Sequence, residues 1–195
     1  MLYNQNKEGE HMKYFEKIKG ERLFLSPMNE EDAEIYTKWM NDQDITEKLG
    51  NYHRMISLKD EKKYLENETG YSFAIVLKEK EKLIGNISLK NVNHINQTAT
   101  LGIFIGEKED RNKGYGKEAI KILLNYAFNT LNLNNIMLEV YSFNKYAVRT
   151  YEKIGFRKIG RRRDSIYRNG RLYDEIFMDI LKDDFNETKD YIFTE

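Results

Sequence analysis

The chain of 195 residues contains no cysteine, a single proline and three histidines. Without cysteine it has no disulfides, no thiolate zinc site and no cysteine nucleophile, which fits a cytoplasmic protein. His11, His53 and His94 do not have the spacing of metal ligands, so we expect no metal cofactor. One proline and no Ser/Gly-rich stretch leave no obvious interdomain linker, which indicates one domain.

An excess of charge of one sign is also lacking, since 32 Lys and Arg balance 32 Asp and Glu. A net charge of zero gives no reason to expect nucleic acid or an anionic membrane surface as a partner. No run approaches the about 18 apolar residues that cross a bilayer. The N-terminal residues lack the apolar segment and cleavage site of a signal peptide. We therefore expect a cytoplasmic protein that contacts neither nucleic acid nor membrane.

The predicted organisation is a polar extension over residues 1–20, one domain over 21–182 and a tail over 183–195. Periodicity and turn signals predict one mixed α/β sheet with helices on both faces. We expect a loop at 41–56, and the strong Asn169-Gly170 signal predicts a type I′ hairpin. The predicted strands are 21–27, 71–77, 83–89, 98–106, 135–142 and two within 156–181, and the predicted helices are 28–40, 57–68, 113–131 and 144–155.

The motif RNKGYGKEA, residues 111–119, is a glycine-rich loop before a helical run. It is not a Walker A loop, because Arg111 stands where that motif needs glycine and Glu118 where it needs Ser or Thr. The loop also satisfies the loose dinucleotide-binding pattern G-x-G-x-x-G/A. In a dinucleotide fold, however, the first glycine directly follows the strand, whereas here eight residues lie between Ile105 and Gly114. A helix start softened by glycine is a further alternative.

A pyrophosphate site fits this loop better. Gly114 and Gly116 let backbone N–H groups approach an anion without a Cβ in the way. The following helix contributes its unpaired amides and the positive end of its dipole. Arg111 and Lys113 add positive charge.

Two motifs together resemble those of the GNAT superfamily of acyl-CoA-dependent N-acetyltransferases. RNKGYG matches the family's Arg/Gln-x-x-Gly-x-Gly/Ala signature, and NKYAVRTYEKIGF (144–156) matches Asn-x-x-Ala-x-x-x-Tyr-x-Lys-x-Gly-Phe. The resemblance covers roughly residues 21–181. It is closest to the branch with ribosomal-protein-alanine and spermidine acetyltransferases.

The resemblance implies the GNAT fold: a largely antiparallel mixed sheet that splays between two parallel strands, here 101–106 and 135–142. It implies acetyl-CoA as cosubstrate, with its pantetheine arm against main-chain groups of the first strand and its pyrophosphate on the glycine loop. Asn144, a plausible helix cap, is also expected to contact the cofactor. The implied cofactor-binding residues are Ile103, Phe104, Ile105, Arg111, Asn112, Lys113, Gly114, Tyr115, Gly116, Lys117 and Asn144.

Tyr151 occupies the family's position for the acid that protonates the departing CoA thiolate. Its spacing from Ala147 and Ile154 also places it on the apolar face of a helix, and the two roles are compatible.

The base is less well defined. Many relatives carry a glutamate where this chain has Thr100, and threonine cannot serve as that base. A water chain, Glu139 or Asp174 could replace it, and an acceptor amine of low pKa would need no strong base.

The acceptor stays open among a protein N-terminus, a polyamine, an amino sugar and an antibiotic amine. An acidic groove would suit a polyamine, and Asp42, Asp44 and Glu47 lie in the loop that borders the acceptor site in relatives. Two rival hypotheses are a non-catalytic acyl-CoA-binding module, which Thr100 favours, and a dinucleotide-binding reductase. Relatives also suggest a homodimer.

Overall fold

The computed structural model describes residues 12–68 and 70–185. His11, most of the predicted extension and most of the predicted tail lie outside the described residues. Within them, no helix is long and apolar enough to span a membrane.

The described residues form five α-helices and eight strands. The helices are α1 (Ala33–Met40), α2 (Gln43–Leu49), α3 (Leu58–Asn67), α4 (Tyr115–Asn129) and α5 (Lys145–Ile154). The strands are β1 (Ile18–Lys19), β2 (Leu23–Pro27), β3 (Tyr71–Leu77), β4 (Lys82–Asn93), β5 (Thr98–Ile105), β6 (Asn135–Tyr141), β7 (Arg157–Arg168) and β8 (Arg171–Leu181).

The described strands form one sheet in the order β1-β2-β3-β4-β5-β6-β8-β7. Every recorded pairing is antiparallel except that of β5 with β6, which is parallel. A parallel pair needs a crossover, and α4 supplies it. The predicted mixed α/β class is confirmed.

Alternation along the strands divides the apolar side chains between two cores, one on each face of the sheet. On one face the strands pack with α4 and α5, around residues such as Leu123, Phe128 and Ile136. On the other face α1, α2 and α3 pack around Trp39 and Phe24. The ends of β5 and β6 therefore lie between two helical layers.

The predicted loop at 41–56 is wrong in its first half, because residues 43–49 form α2. Asp42 caps this helix by accepting a hydrogen bond from the main-chain N–H of Asp44, and Gly50 ends it with φ +75°. The helix has seven residues and only two aliphatic side chains, Ile45 and Leu49, so its periodicity is too short to read. Its residues cover one side of the site described below.

The hairpin prediction is confirmed, since Asn169 and Gly170 both have positive φ, as a type I′ turn requires. Two arginines of β7 face acids of β8: Arg161 forms an ion pair with Asp174, and Arg162 lies opposite Glu175.

Candidate active site

A cleft opens where β5 and β6 separate. Residues 98–100 of β5 pair with residues 135–137 of β6, and beyond them the described parts of the two strands are not paired. Beyond that point the gap widens into a cleft of about 820 Å³. Its walls come from α2, β5, β6, α5 and the loop that enters α4.

The cleft-facing edge of β5 has main-chain groups to offer a ligand. β5 remains paired with β4 as far as Ile105, but its pairing with β6 ends at Thr100. The edge from residue 101 to 105 therefore has no strand beside it, although Ile103, Phe104 and Ile105 line the cleft. An extended arm with amide groups can take the place of the absent strand.

At one end of the cleft lies the first turn of α4. The first helical hydrogen bond runs from the N–H of Glu118 to the carbonyl of Gly114. In the described structure, the amides of residues 112–117 have no recorded partner. Gly114 makes the sharp entry with φ +85°, in the left-handed region. Unpartnered donors at the positive end of a helix are what an anion site requires.

Gly116 is not required by the protein's own packing. Its φ is not positive, and an added Cβ would lie 3.9 Å from Ile103 and Ile105, at ordinary van der Waals distance. Alanine would also be the better helix former. Since Gly116 lines the cleft, the absence of a side chain leaves room for a ligand against the backbone.

The charged residues of the loop have different roles from one another. The Arg111 side chain donates from Nε to the carbonyl of Ile105 at 3.2 Å and from Nη2 to that of Gly106, so it fastens the loop to the end of β5. Lys113 is exposed and does not line the cleft, whereas Asn112 and Lys117 do.

Asn144 caps α5 and lines the cleft at the same time. Its Oδ1 accepts a hydrogen bond from the N–H of Ala147 at 3.3 Å, which confirms the predicted cap. No partner is recorded for its Nδ2 among the described residues. The side chain therefore keeps two donors for a ligand.

Tyr151 combines a packed ring with a cleft-facing position. The ring lies edge-on to Phe156, with centroids 5.8 Å apart, and the residue lines the cleft. In the described part of the chain its hydroxyl has no recorded hydrogen bond. Burial raises the pKa of this hydroxyl to about 12. Tyr151 therefore remains a neutral proton donor at physiological pH.

Of the two carboxylates that could replace the missing glutamate, only Glu139 lines the cleft, along with Thr100. Asp174 is bound to Arg161 and accepts from the N–H of Asp164 at 3.0 Å. Glu139 is exposed on the face of β6 that turns away from the α4 layer.

Sequence reasoning missed Glu175, which lies on the same face of the sheet as Glu139. It lies directly opposite Tyr141 in the register of β6 and β8. Burial, and then the charge of Glu139, raise the pKa of Glu175. Its position depends on the register of β8 against β6, which only the folded sheet fixes.

The acids that suggested a polyamine groove are all engaged by the protein itself. Asp42 caps α2. Asp44 forms an ion pair with Lys108 at 2.5 Å, and Glu47 one with Arg168, also at 2.5 Å. His53 is exposed and does not line the cleft. Over the described residues, no group of three or more His, Asp or Glu side chains is placed to hold a metal.

A sheet that splays at a parallel pair, with unpartnered amides at the start of the next helix and a tyrosine across the gap, is the arrangement expected of an acyl-CoA-dependent acetyltransferase. The sequence profile of the acetyltransferase (GNAT) domain matches residues 22–157. The chain belongs to this family, and it is an N-acetyltransferase.

Known proteins similar to this chain include an uncharacterized N-acetyltransferase of Bacillus licheniformis, 28% identical over 177 residues that cover 87% of this chain and 98% of the relative. A putative ribosomal N-acetyltransferase of Bacillus subtilis is 35% identical over 107 residues, which cover 55% and 58% of the two chains.

A solved structure of spermidine N-acetyltransferase from Vibrio cholerae, in complex with CoA and spermine, superposes with a TM-score of 0.75 at 27% identity, covering 84% of this chain and 98% of that one. A dodecameric structure of that enzyme has a TM-score of 0.68 at 25% identity, with coverage of 87% and 99%. The predicted resemblance to this family, and to its ribosomal-protein and spermidine acetyltransferase branch, is confirmed.

Proposed function

We propose that this protein transfers the acetyl group of acetyl-CoA directly to a primary amine in a ternary complex. The observation that carries the proposal is the single cleft that joins the unpartnered amides of α4 to the Tyr151 side chain. The amides of residues 112–117 hold the pyrophosphate, and the free edge of β5 pairs with the pantetheine arm. Asn144 contacts the cofactor through its amide.

Starting from the protonated amine, the reaction needs one bond formed, one bond broken and three proton transfers. Glu139, directly or through water, takes the proton of the ammonium ion and leaves a neutral amine. The amine nitrogen attacks the thioester carbonyl carbon, and the C–S bond breaks to release CoA. Tyr151 gives its proton to the departing sulfur and regains one from the acetylated nitrogen. No acyl-enzyme is formed, since the chain has no cysteine and no Ser-His pair in a recognisable arrangement.

The raised pKa of Tyr151 bears on the timing of this proton transfer. A hydroxyl with a pKa of about 12 is a weaker acid than a thiol, whose usual pKa is about 8.5. Transfer to a free thiolate would be uphill. Transfer of the proton while the C–S bond breaks avoids a free thiolate, and it depends on the hydroxyl being positioned at the sulfur.

The acceptor is a protein N-terminus, a polyamine or another small amine. Binding of spermine by the Vibrio relative supports a polyamine. The internal pairing of Asp44 and Glu47 weakens that choice. The dodecameric relative supports self-association of this chain, and its cysteine-free composition fits the cytoplasm.

The proposal is tested by release of free CoA from acetyl-CoA in the presence of spermidine, peptides with free N-termini, amino sugars and aminoglycosides. A disulfide dye detects the thiol, and a protein without cysteine adds no background. Turnover with one class identifies the acceptor. CoA binding without turnover on any amine would instead favour an acyl-CoA-binding module.

We expect Glu139→Gln to lower kcat/KM by about 10²-fold near neutral pH, as loss of a general base does. The loss should shrink as pH rises, because more of the acceptor amine is then already deprotonated. Rates of CoA release from pH 6 to 10 check this. Glu152→Gln, which removes an exposed carboxylate of α5 bonded to Lys158, is the control. Parallel pH profiles for E139Q and the unchanged protein would exclude Glu139 as the base.

A further inference from the structure

Arg22, in the turn before β2, contacts the glycine loop from behind. Its Nη1 donates to the carbonyl of Lys113 at 3.0 Å. Its guanidinium lies over the ring of Tyr115, 4.8 Å from the centroid. Its Nη2 would lie 3.4 Å from a Cβ added to Gly114. One side chain thus contacts the residues on both sides of Gly114.

The same arginine is fixed by Glu118, which is buried in the first turn of α4 with 7% of its side chain exposed. Glu118 Oε2 accepts from Arg22 Nε at 2.8 Å, and its Oε1 accepts from the main-chain N–H of Arg22 at 2.8 Å. Both carboxylate oxygens are therefore used. Because the planar guanidinium has fixed donor directions, this anchoring sets where its remaining donors point.

The N-terminal hairpin is shaped to allow this contact. A Cβ at Gly20 would lie 3.0 Å from Glu118 Oε1 and 2.8 Å from the carbonyl of Leu23. The N–H of Gly20 closes the turn onto that carbonyl at 2.9 Å. The turn between β1 and β2 therefore packs directly on α4 beside the loop, although its first residues lie in the segment 1–20 that the sequence suggested as a polar extension.

Glu118 alone would oppose the proposed function. Its carboxylate lies two residues beyond Gly116, in the helical turn whose amides face the anion site, and a negative charge there repels a pyrophosphate. Ion pairing with Arg22 compensates this charge. An ordinary stabilising ion pair would account for the Arg22–Glu118 bonds, but not for the additional contacts of Arg22 with Lys113 and Tyr115.

We infer that Arg22, held by Glu118, is a positioning residue that sets the conformation of loop 113–117 for the pyrophosphate of acetyl-CoA. This inference rests on the proposed function. It predicts a defect confined to the part of the cosubstrate that contacts the loop. The thioester end, bound by β5 and Tyr151, should be unaffected.

The test compares acetyl-CoA with S-acetylpantetheine, which carries the same thioester but lacks the pyrophosphate. Arg22→Ala should raise the KM for acetyl-CoA and the Kd of CoA about tenfold, the loss expected from one charge-assisted contact. The kcat at saturation and the kcat/KM for S-acetylpantetheine should change less than about twofold, because neither depends on the loop. Arg22→Lys keeps the positive charge but lacks the planar set of guanidinium donors, so it should restore little of the lost affinity for CoA.

The double variant R22A/E118Q separates positioning from stability, because it removes the buried charge that R22A leaves unpaired. It should recover the melting temperature of the unchanged protein, whereas its CoA affinity should regain only the part lost to repulsion by Glu118 and should stay well below that of the unchanged protein. Arg157→Ala, which breaks the remote Arg157–Asp184 pair, is the control. Recovery of both properties, or an equal loss for the two thioesters, would overturn the inference. CoA affinity measured by calorimetry without an acceptor keeps this test separate from failure of the proposed transfer.

Discussion

Replacing Tyr151 with phenylalanine is expected to lower kcat for acetyl transfer about 10²- to 10³-fold, the range of a lost general acid. The Kd of CoA should stay within about twofold, because the side chain acts on the sulfur only as the C–S bond breaks. Steady-state CoA release and calorimetric titration with CoA measure the two quantities.

The variant should remain as stable as the unchanged protein. The ring keeps its edge contact with Phe156. The hydroxyl has no recorded partner in the described structure, so its removal leaves no buried group unsatisfied. A loss of activity therefore cannot be attributed to unfolding, and thermal denaturation of both proteins checks this.

Tyr146→Phe is the matched control, since Tyr146 lies on the same helix and lines the same cleft but is 62% exposed. It should retain activity within about twofold, as expected when an exposed hydroxyl is lost. If Tyr151→Phe retained full kcat, water or the acceptor would have to supply the proton, and the assignment of Tyr151 as acid would be wrong.

Replacing Gly116 with alanine should separate stability from cofactor affinity most clearly. The added methyl would meet Ile103 and Ile105 at 3.9 Å, so the fold accepts it. Glycine is about 1 kcal/mol less favourable than alanine inside a helix, so the melting temperature should stay the same or rise. CoA affinity should fall about 10- to 100-fold, because the methyl keeps the pyrophosphate from one or two backbone donors.

Two other glycines make the controls for this result. Gly114→Ala should lower stability by about 1–2 kcal/mol, because its φ of +85° strains any residue with a Cβ. Gly160→Ala should change neither property much, since its Cβ would meet only Phe177 at 3.7 Å or more. If Gly116→Ala bound CoA as tightly as the unchanged protein, the pyrophosphate would not lie against this turn.

Much of the fold could be predicted because its elements carry strong local signals. Helix α4 has a long apolar periodicity, and the β7–β8 turn has the Asn-Gly pair that its geometry demands. Helix α2 could not be predicted, since seven residues with two aliphatic side chains give too little pattern. Its stability comes from packing against α1, where Ile45 is buried, and from the half-buried ion pair of Glu47 with Arg168.

The candidate site divides in the same way between local and long-range information. Gly114, Gly116, Asn144 and Tyr151 lie in contiguous motifs, and the fold brings them to one cleft. Arg22 and Glu118 are 96 positions apart in the chain, and their contact follows from sheet topology. The hydrogen bonds of Arg111 to main-chain carbonyls could not be predicted either, because a motif gives residue types but not their partners.

The most direct test of direct acetyl transfer is a product balance in one sample by mass spectrometry. The protein is mixed with acetyl-CoA and an acceptor amine found active in the panel, and CoA, acetylated amine and intact protein are quantified together. We predict one acetylated amine for each CoA released, with no protein heavier by an acetyl group at any time before completion. CoA release without acetylated amine, or a transient acetyl-protein that forms and decays at the rate of turnover, would contradict it.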